Sequence, residues 1–162
     1  MIRVGVITIS DRGYRGERED TSGEVIQEMV RRMGAEVEFS TVVPDEQERI
    51  KEVLIQGADK MGLDLIVTTG GTGVSPRDVT PEATREVIER EIPGFAEAMR
   101  IMGVKKTPHA MISRAVCGVR GRTLIVNLPG SPKAVQEGLE VILTAIPHTI
   151  AKIQGDPREC GE

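Results

Sequence analysis

The sequence predicts an α/β domain with a mostly parallel central sheet covered on both faces by helices. Three observations carry this expectation. Strand-like and helix-like segments alternate along the chain, the order that makes parallel sheets with crossover helices. Two strand segments, residues 2–9 (IRVGVITI) and 65–67 (LIV), are nearly continuous apolar and β-branched runs, as strands buried on both faces require. Distinctive loops follow the strands at Ser10-Asp11, residues 69–78 and residues 127–131, whereas Gly34 and Gly62 are plain helix stops. In a parallel sheet the loops after the strands leave from one edge, and ligands bind there.

The elements follow in order. After the strand at 2–9, Ser10-Asp11-Arg12-Gly13 turns the chain and a charged loop runs to Asp20. Thr21-Ser22-Gly23-Glu24 reads as a capping box with Thr21 as N-cap, and Val25, Ile26, Met29, Val30 and Met33 share the face of the helix behind it. Residues 35–43 (AEVEFSTVV) form a second strand nearer the sheet edge. Pro44-Asp45-Glu46 begins a helix with Ile50, Val53, Leu54, Ala58 and Met61 as its buried stripe. The strand at 65–67 enters the glycine loop, and Thr80-Pro81 opens a helix to about Arg90 as N-cap and N1 proline. Pro93-Gly94 breaks that helix, and a short segment follows with Phe95, Ala98, Met99 and Met102 on one face. Residues 111–119 and 122–128 read as two strands joined by Arg120-Gly121. Ser131-Pro132 then starts a long last helix, which Pro147 should kink or end.

At 162 residues the chain has the length of one domain with a proper core. We read residues 1–155 as that domain and 156–162 as a short tail. A hydrophobic content of 39% with 28% charged residues describes a globular protein. The net charge of −4 argues against a general nucleic-acid or membrane partner, since both need a positive field. One Tyr, two Phe and no Trp leave no stacking platform for single-stranded nucleic acid. Cys117 sits in an apolar run, so it belongs to the core, and Cys160 lies in the tail. Two cysteines make neither a disulfide scaffold nor a four-ligand zinc site. No apolar stretch is long enough to target or span a membrane, so a cytoplasmic location is expected.

The stretch that carries chemistry is LDLIVTTGGTGVSPRD, residues 63–78. A buried strand runs into Thr68-Thr69-Gly70-Gly71-Thr72-Gly73, where glycines permit positive φ and close approach of a ligand to the backbone. Successive amides in such a loop form an anion-binding nest. The loop is neither a P-loop, which would close with Lys-Ser/Thr, nor a dinucleotide fingerprint, which needs a third glycine. A tight turn without a ligand is the alternative. Asp45 and Asp78 each have two readings: a charge that stabilises a helix start, or a carboxylate delivered to the ligand edge. Ser113-Arg114 is either a solvent-facing strand start or a hydroxyl and guanidinium for a phosphate. Lys133 stands against the helix dipole, which hints at an anion. His109 and His148 are too isolated in sequence for a metal pair.

Taken in order, six motifs resemble one family. They are Pro44-Asp45-Glu46, the loop Thr69 to Gly73, Arg77-Asp78-Val79-Thr80-Pro81-Glu82-Ala83-Thr84, Pro93-Gly94-Phe95, Ser113-Arg114 and Asn127-Leu128-Pro129-Gly130-Ser131-Pro132. The family is the molybdopterin adenylyltransferases of molybdenum cofactor synthesis, which include the G domain of gephyrin. Each motif alone is weak and the ordered set is specific; it runs from near the start of the chain to about Gly155. The resemblance implies a three-layer α/β sandwich and transfer of AMP from ATP to the molybdopterin phosphate, with magnesium and release of pyrophosphate. It also implies a homotrimer or a multiple of three, with a molybdenum-insertion protein as a candidate partner. It places the two essential aspartates, as magnesium ligands, on Asp45 and Asp78. The nucleotide loop falls on Gly70, Gly71, Thr72 and Gly73, and the pterin side on Ser113, Pro129, Gly130 and Ser131. Two other classes stay open: a binding module without turnover, and a scaffold, for which this chain has no second domain or linker.

Overall fold

The computed structural model describes residues 1–161. Six strands form one mixed sheet in the order β2-β1-β3-β6-β5-β4. β1 (Arg3–Ile9), β2 (Glu36–Val43), β3 (Leu65–Thr69) and β6 (Thr123–Leu128) run parallel. β5 (Cys117–Arg120) pairs antiparallel with β6, and the two-residue β4 (Arg90–Glu91) pairs antiparallel with β5. The expected mostly parallel sheet is therefore observed, with an antiparallel hairpin at one side.

A single helical turn, α1 (Asp11–Tyr14), follows β1 directly. Side chains alternate across the sheet and divide the core in two. Val4, Val6, Leu65, Val67, Leu124, Val126 and Leu128 face α2 (Thr21–Arg32), α6 (Pro132–Ile142) and α7 (Ile146–Ile153). Ile7, Ile9, Ile66 and Ile125 face α3 (Gln47–Ile55) and α4 (Thr80–Val87). Each fully buried Ile or Leu contributes roughly 1.5–3 kcal/mol of transfer free energy, so both faces have reason to stay covered. This is a three-layer α/β sandwich. Among the described residues no helix is long and apolar enough to cross a membrane.

Several local expectations are corrected. Asp20, not Thr21, caps α2: its carboxylate accepts the Gly23 amide at 3.0 Å and the Thr8 hydroxyl at 2.8 Å. The bond from β1 selects one cap from three adjacent candidates. Thr80 does not cap α4 either; the cap position is Val79, and the Thr80 hydroxyl donates to the Gly70 carbonyl at 2.9 Å. α4 ends at Val87 rather than near Arg90, because Arg90 and Glu91 pair with β5. Pro93 starts a helix instead of ending one: α5 spans Pro93–Val104 with Phe95 and Ala96 buried. The strand expected from Met111 begins only at Cys117, since Pro108–Ile112 coils into a 3₁₀ turn. The helix stops at Gly34 and Gly62, the Ser131 cap and the break near Pro147 are found as expected.

Candidate active site

The C-terminal ends of β1, β2, β3 and β6 all lie at one edge of the sheet, and their loops are stitched to one another. The Ser10 amide donates to the Val43 carbonyl at 2.9 Å, and the Gly70 amide to the Leu128 carbonyl at 3.2 Å. The Thr69 hydroxyl donates to the Pro129 carbonyl and the Ser22 hydroxyl to the Gly130 carbonyl, both at 2.6 Å. Beneath them sits a buried polar knot. The Asn127 side-chain amide donates to the Thr68 and Thr84 hydroxyls at 3.0 Å, and its carbonyl accepts the Val116 amide at 3.1 Å. Every polar atom in the knot has a partner, so it joins β3, β6 and α4 at this edge without an orphaned group.

The glycine loop is built so that its carbonyls are taken up by the protein while the amides of Gly71, Thr72 and Gly73 stay free. The Gly70 carbonyl accepts the Thr80 hydroxyl, and the Gly71 carbonyl accepts the Thr80 amide at 3.2 Å. The Thr72 carbonyl accepts the Arg114 amide and the Gly73 carbonyl the Arg114 Nε, both at 2.8 Å. Among the described residues, no acceptor meets the amides of Gly71, Thr72 or Gly73. Four consecutive carbonyls are thus spent on the protein while three neighbouring donors have no partner within its described residues.

Two of the glycines are required by backbone geometry. Gly70 has φ +97°, and a Cβ there would lie 2.3 Å from the Ile9 carbonyl oxygen. Gly71 has φ +69°, and its Cβ would meet the Thr80 hydroxyl at 2.3 Å and Asp45 Oδ1 at 3.1 Å.

Gly73 has ordinary backbone, but a Cβ there would lie 2.9 Å from Asp78 Oδ2. The two aspartates therefore flank the loop, Asp45 beside Gly71 and Asp78 beside Gly73. Neither lies inside a helix. The first helical turn expected at Asp45 is not there, because α3 starts at Gln47. Asp45 Oδ2 accepts the Asp11 amide at 2.8 Å, and the Asp45 amide donates to Asp11 Oδ1 at 2.9 Å. Asp78 precedes α4, and its Oδ2 accepts the Ser75 amide at 3.0 Å. Burial holds the Asp45 carboxyl above the ordinary range; the charges of Asp11 and Asp78 add to this, against the Asp11 amide bond. Asp11 is held below its ordinary value, first by its bonds to Arg77.

A cleft of about 810 Å³ opens beside the loop. Gly71, Thr72, Gly73 and Asp78 form one wall, and Pro129, Gly130, Ser131 and Ser113 line it too. Met99, Arg100, Lys106, His109 and Val141, from α5, α6 and the turn between α5 and β5, contribute to the remainder. The structure thus brings eight of the ten candidate residues to one cleft. Gly70 is buried under it, and Asp45 stands on the far side of Gly71.

Arg114 is neither a strand start nor a free phosphate reader. Its guanidinium pairs with Glu82 (Nη1–Oε2 2.6 Å) and donates to the Asp78 carbonyl at 3.0 Å, so it clamps the loop. Lys133 is exposed and is not part of the cleft wall. The sequence does not single out Arg77 or Thr80 as site residues, and it marks Asp11 only as part of a loop at the ligand edge. The Ser-Asp-Arg turn after β1 is visible in the sequence, but nothing local links it to Asp45.

Among the described residues no group of three potential metal-ligating side chains exists. Two carboxylates, each with one oxygen outside any hydrogen bond of the described residues, beside a row of unpaired amides, fit magnesium, which completes its shell with water and phosphate oxygens. They do not fit a metal caged by protein alone.

A doubly wound sheet with a row of unpaired amides at the edge where its parallel strands end, and a mixed apolar-polar cleft beside it, is the arrangement of a small-molecule binding α/β domain. Residues 5–148 match the family described as "Probable molybdopterin binding domain", and the chain belongs to that family. It is 43% identical to the molybdopterin adenylyltransferase of Helicobacter pylori strain J99, over 99% of this chain and 93% of that protein. It is 41% identical to the molybdopterin adenylyltransferase of Escherichia coli K12, over 89% of this chain and 75% of the relative. Among solved structures, the molybdopterin biosynthesis enzyme MoaB of Thermus thermophilus superposes with a TM-score of 0.91. The two share 55% identity over 98% of this chain and all of the other.

Proposed function

We propose that this protein is a molybdopterin adenylyltransferase: it transfers AMP from ATP to the phosphate of molybdopterin and releases pyrophosphate. The observation that carries the reading is the row of unpaired amides at Gly71, Thr72 and Gly73 between two aspartates, at the mouth of a cleft large enough for a pterin. Relatives that carry this name match nearly the whole chain.

The chemistry needs no covalent nucleophile from the protein. A phosphate oxygen of molybdopterin attacks the α-phosphorus of ATP, a new P–O bond forms, and the bond to the bridging oxygen of pyrophosphate breaks. Two polyanions must meet, so the protein's work is positioning and charge stabilisation. The free amides bind phosphate oxygens. Pro129, Gly130, Ser131 and Ser113 orient the pterin against the loop. Asp45 and Asp78 would hold magnesium, which supplies charge neutralisation between the phosphates when bound.

The assembly we propose is a homotrimer or a multiple of three. Ile101, Met102, Val104, Met111 and Ile112, in α5 and the following turn, are exposed apolar residues that a second chain would cover. We propose a cytoplasmic setting in which the adenylylated product passes to a molybdenum-insertion protein. Incubation of the protein with ATP, magnesium and molybdopterin, followed by pyrophosphate release, tests the activity. Tight binding of both substrates with no pyrophosphate would leave a binding module instead.

A further inference from the structure

We propose that Asp11 is a positioning residue that fixes the Asp45 carboxylate at the ligand edge, and that Arg77 holds Asp11 in place. The inference rests on the reading of Asp45 as a carboxylate of the reacting site. Asp45 lies in a bend between β2 and α3, so neither sheet nor helix determines its orientation. Its amide and its side chain make one hydrogen bond each, and both go to Asp11: amide to Oδ1 at 2.9 Å, Oδ2 to amide at 2.8 Å. This reciprocal pair fixes the backbone and the χ1 rotation of Asp45 together.

Asp11 is anchored independently at its backbone. The Ser10 hydroxyl accepts the Gly13 amide at 3.0 Å, closing the single turn of α1, while the Ser10 amide is bound to β2. The side chain of Asp11 is held by the Arg77 fork, Nε to Oδ2 and Nη2 to Oδ1, both at 3.0 Å. Two carboxylates this close would repel, and the guanidinium offsets the charge of one of them.

Arg77 is the immediate neighbour of Asp78. The chain Asp78–Arg77–Asp11–Asp45 therefore ties together two aspartates carried on separate loops. An ion pair whose arginine side chain is 61% exposed contributes little to stability. The geometry is better explained by the orientation it imposes.

The test compares Asp11→Ala, Asp11→Asn and Arg77→Met with the parent protein, by crystal structure and by turnover. Alanine removes the acceptor of the Asp45 amide and the partner of Arg77; asparagine keeps an acceptor oxygen at the same place. In Asp11→Ala the Asp45 carboxylate should move by about 1 Å or more, and turnover should fall by about 100-fold. Asp11→Asn should keep Asp45 in place and recover at least about tenfold of that loss. Arg77→Met, a change at an exposed side chain that folding tolerates, should displace Asp45 less and lower turnover by about tenfold. The KM for molybdopterin should stay within about twofold in all three, since none of these residues lines the cleft. An Asp45 carboxylate that stays put in Asp11→Ala, or equal losses in the alanine and asparagine variants, would overturn the proposal. Absence of adenylylated product from the parent protein would instead refute the proposed activity, and the position of Asp45 in the crystals would still decide the positioning role.

Discussion

Replacing Asp45 by asparagine should make the protein more stable and nearly inactive at once. Asparagine has the shape of aspartate and one carbonyl oxygen, so the bond from the Asp11 amide survives, as does the bond from its own amide to Asp11 Oδ1. Exchanging a charged acceptor for a neutral one forfeits about 1 kcal/mol. Against that stands the unfavourable environment of the ionised form: Asp45 is desolvated and faces Asp11 and Asp78, and its carboxyl is held above the ordinary value. A carboxyl whose folded pKa is raised stabilises the fold fully only below its unfolded value near ~4, and that contribution is lost as pH rises through the folded pKa. At pH 7 the wild-type carboxylate is therefore a net burden that asparagine removes, and near pH ~3.5 the difference vanishes. Melting curves of both proteins between about pH 3.5 and 8 should show the variant higher at pH 7, with the gap closing in acid. Turnover should fall by at least about 100-fold, near ~2.7 kcal/mol of transition-state stabilisation. Near-normal turnover would return Asp45 to a purely structural role. A variant less stable at pH 7 than in acid, relative to wild type, would refute the electrostatic account.

Alanine substitutions along the glycine loop should give a graded series in stability and nucleotide affinity. Gly70→Ala forces a Cβ onto a backbone carbonyl at positive φ and should cost at least about 3 kcal/mol in chemical denaturation. Gly73→Ala meets only the movable end of Asp78 and should cost under about 1 kcal/mol, yet weaken magnesium–ATP binding in calorimetry. Arg114→Met should release the Gly73 and Asp78 carbonyls, while the backbone bond to Thr72 survives, and should lower ATP affinity by about tenfold or more, with a modest fall in melting temperature. Asn127→Leu should cost about 2–4 kcal/mol, since the Val116 amide and two threonine hydroxyls lose a partner. Light scattering at micromolar concentration should give three chains or a multiple; a stable monomer would sink the assembly proposal.

What is legible in the sequence is what short-range pattern encodes. The β-branched runs of β1, β3 and β6 announce a sheet buried on both faces, and Ser131-Pro132 announces the start of α6. The glycine loop is readable because three glycines in four residues have few purely structural explanations. The corrections share one physical cause. Asp20 wins the cap of α2 over Thr21 because Thr8, on another element, donates to it. Thr80 leaves its cap role because the Gly70 carbonyl needs a donor. Arg114 clamps residues far away in the chain, and the Asp11–Asp45 pair spans a similar separation. β4 is invisible in the sequence because two exposed charged residues carry no periodicity, and their strand state comes from pairing with β5.

The claim that matters most is that the unpaired amides and the two aspartates promote adenylyl transfer rather than hold a ligand. It is tested most directly by following the α-phosphorus of ATP. Protein, magnesium and molybdopterin should be incubated with ATP labelled at that phosphorus, and the pterin product isolated. The expected result is label joined to molybdopterin in amount equal to the pyrophosphate released, with neither appearing when molybdopterin is omitted. Label that remains in ATP while both substrates are bound would contradict the account.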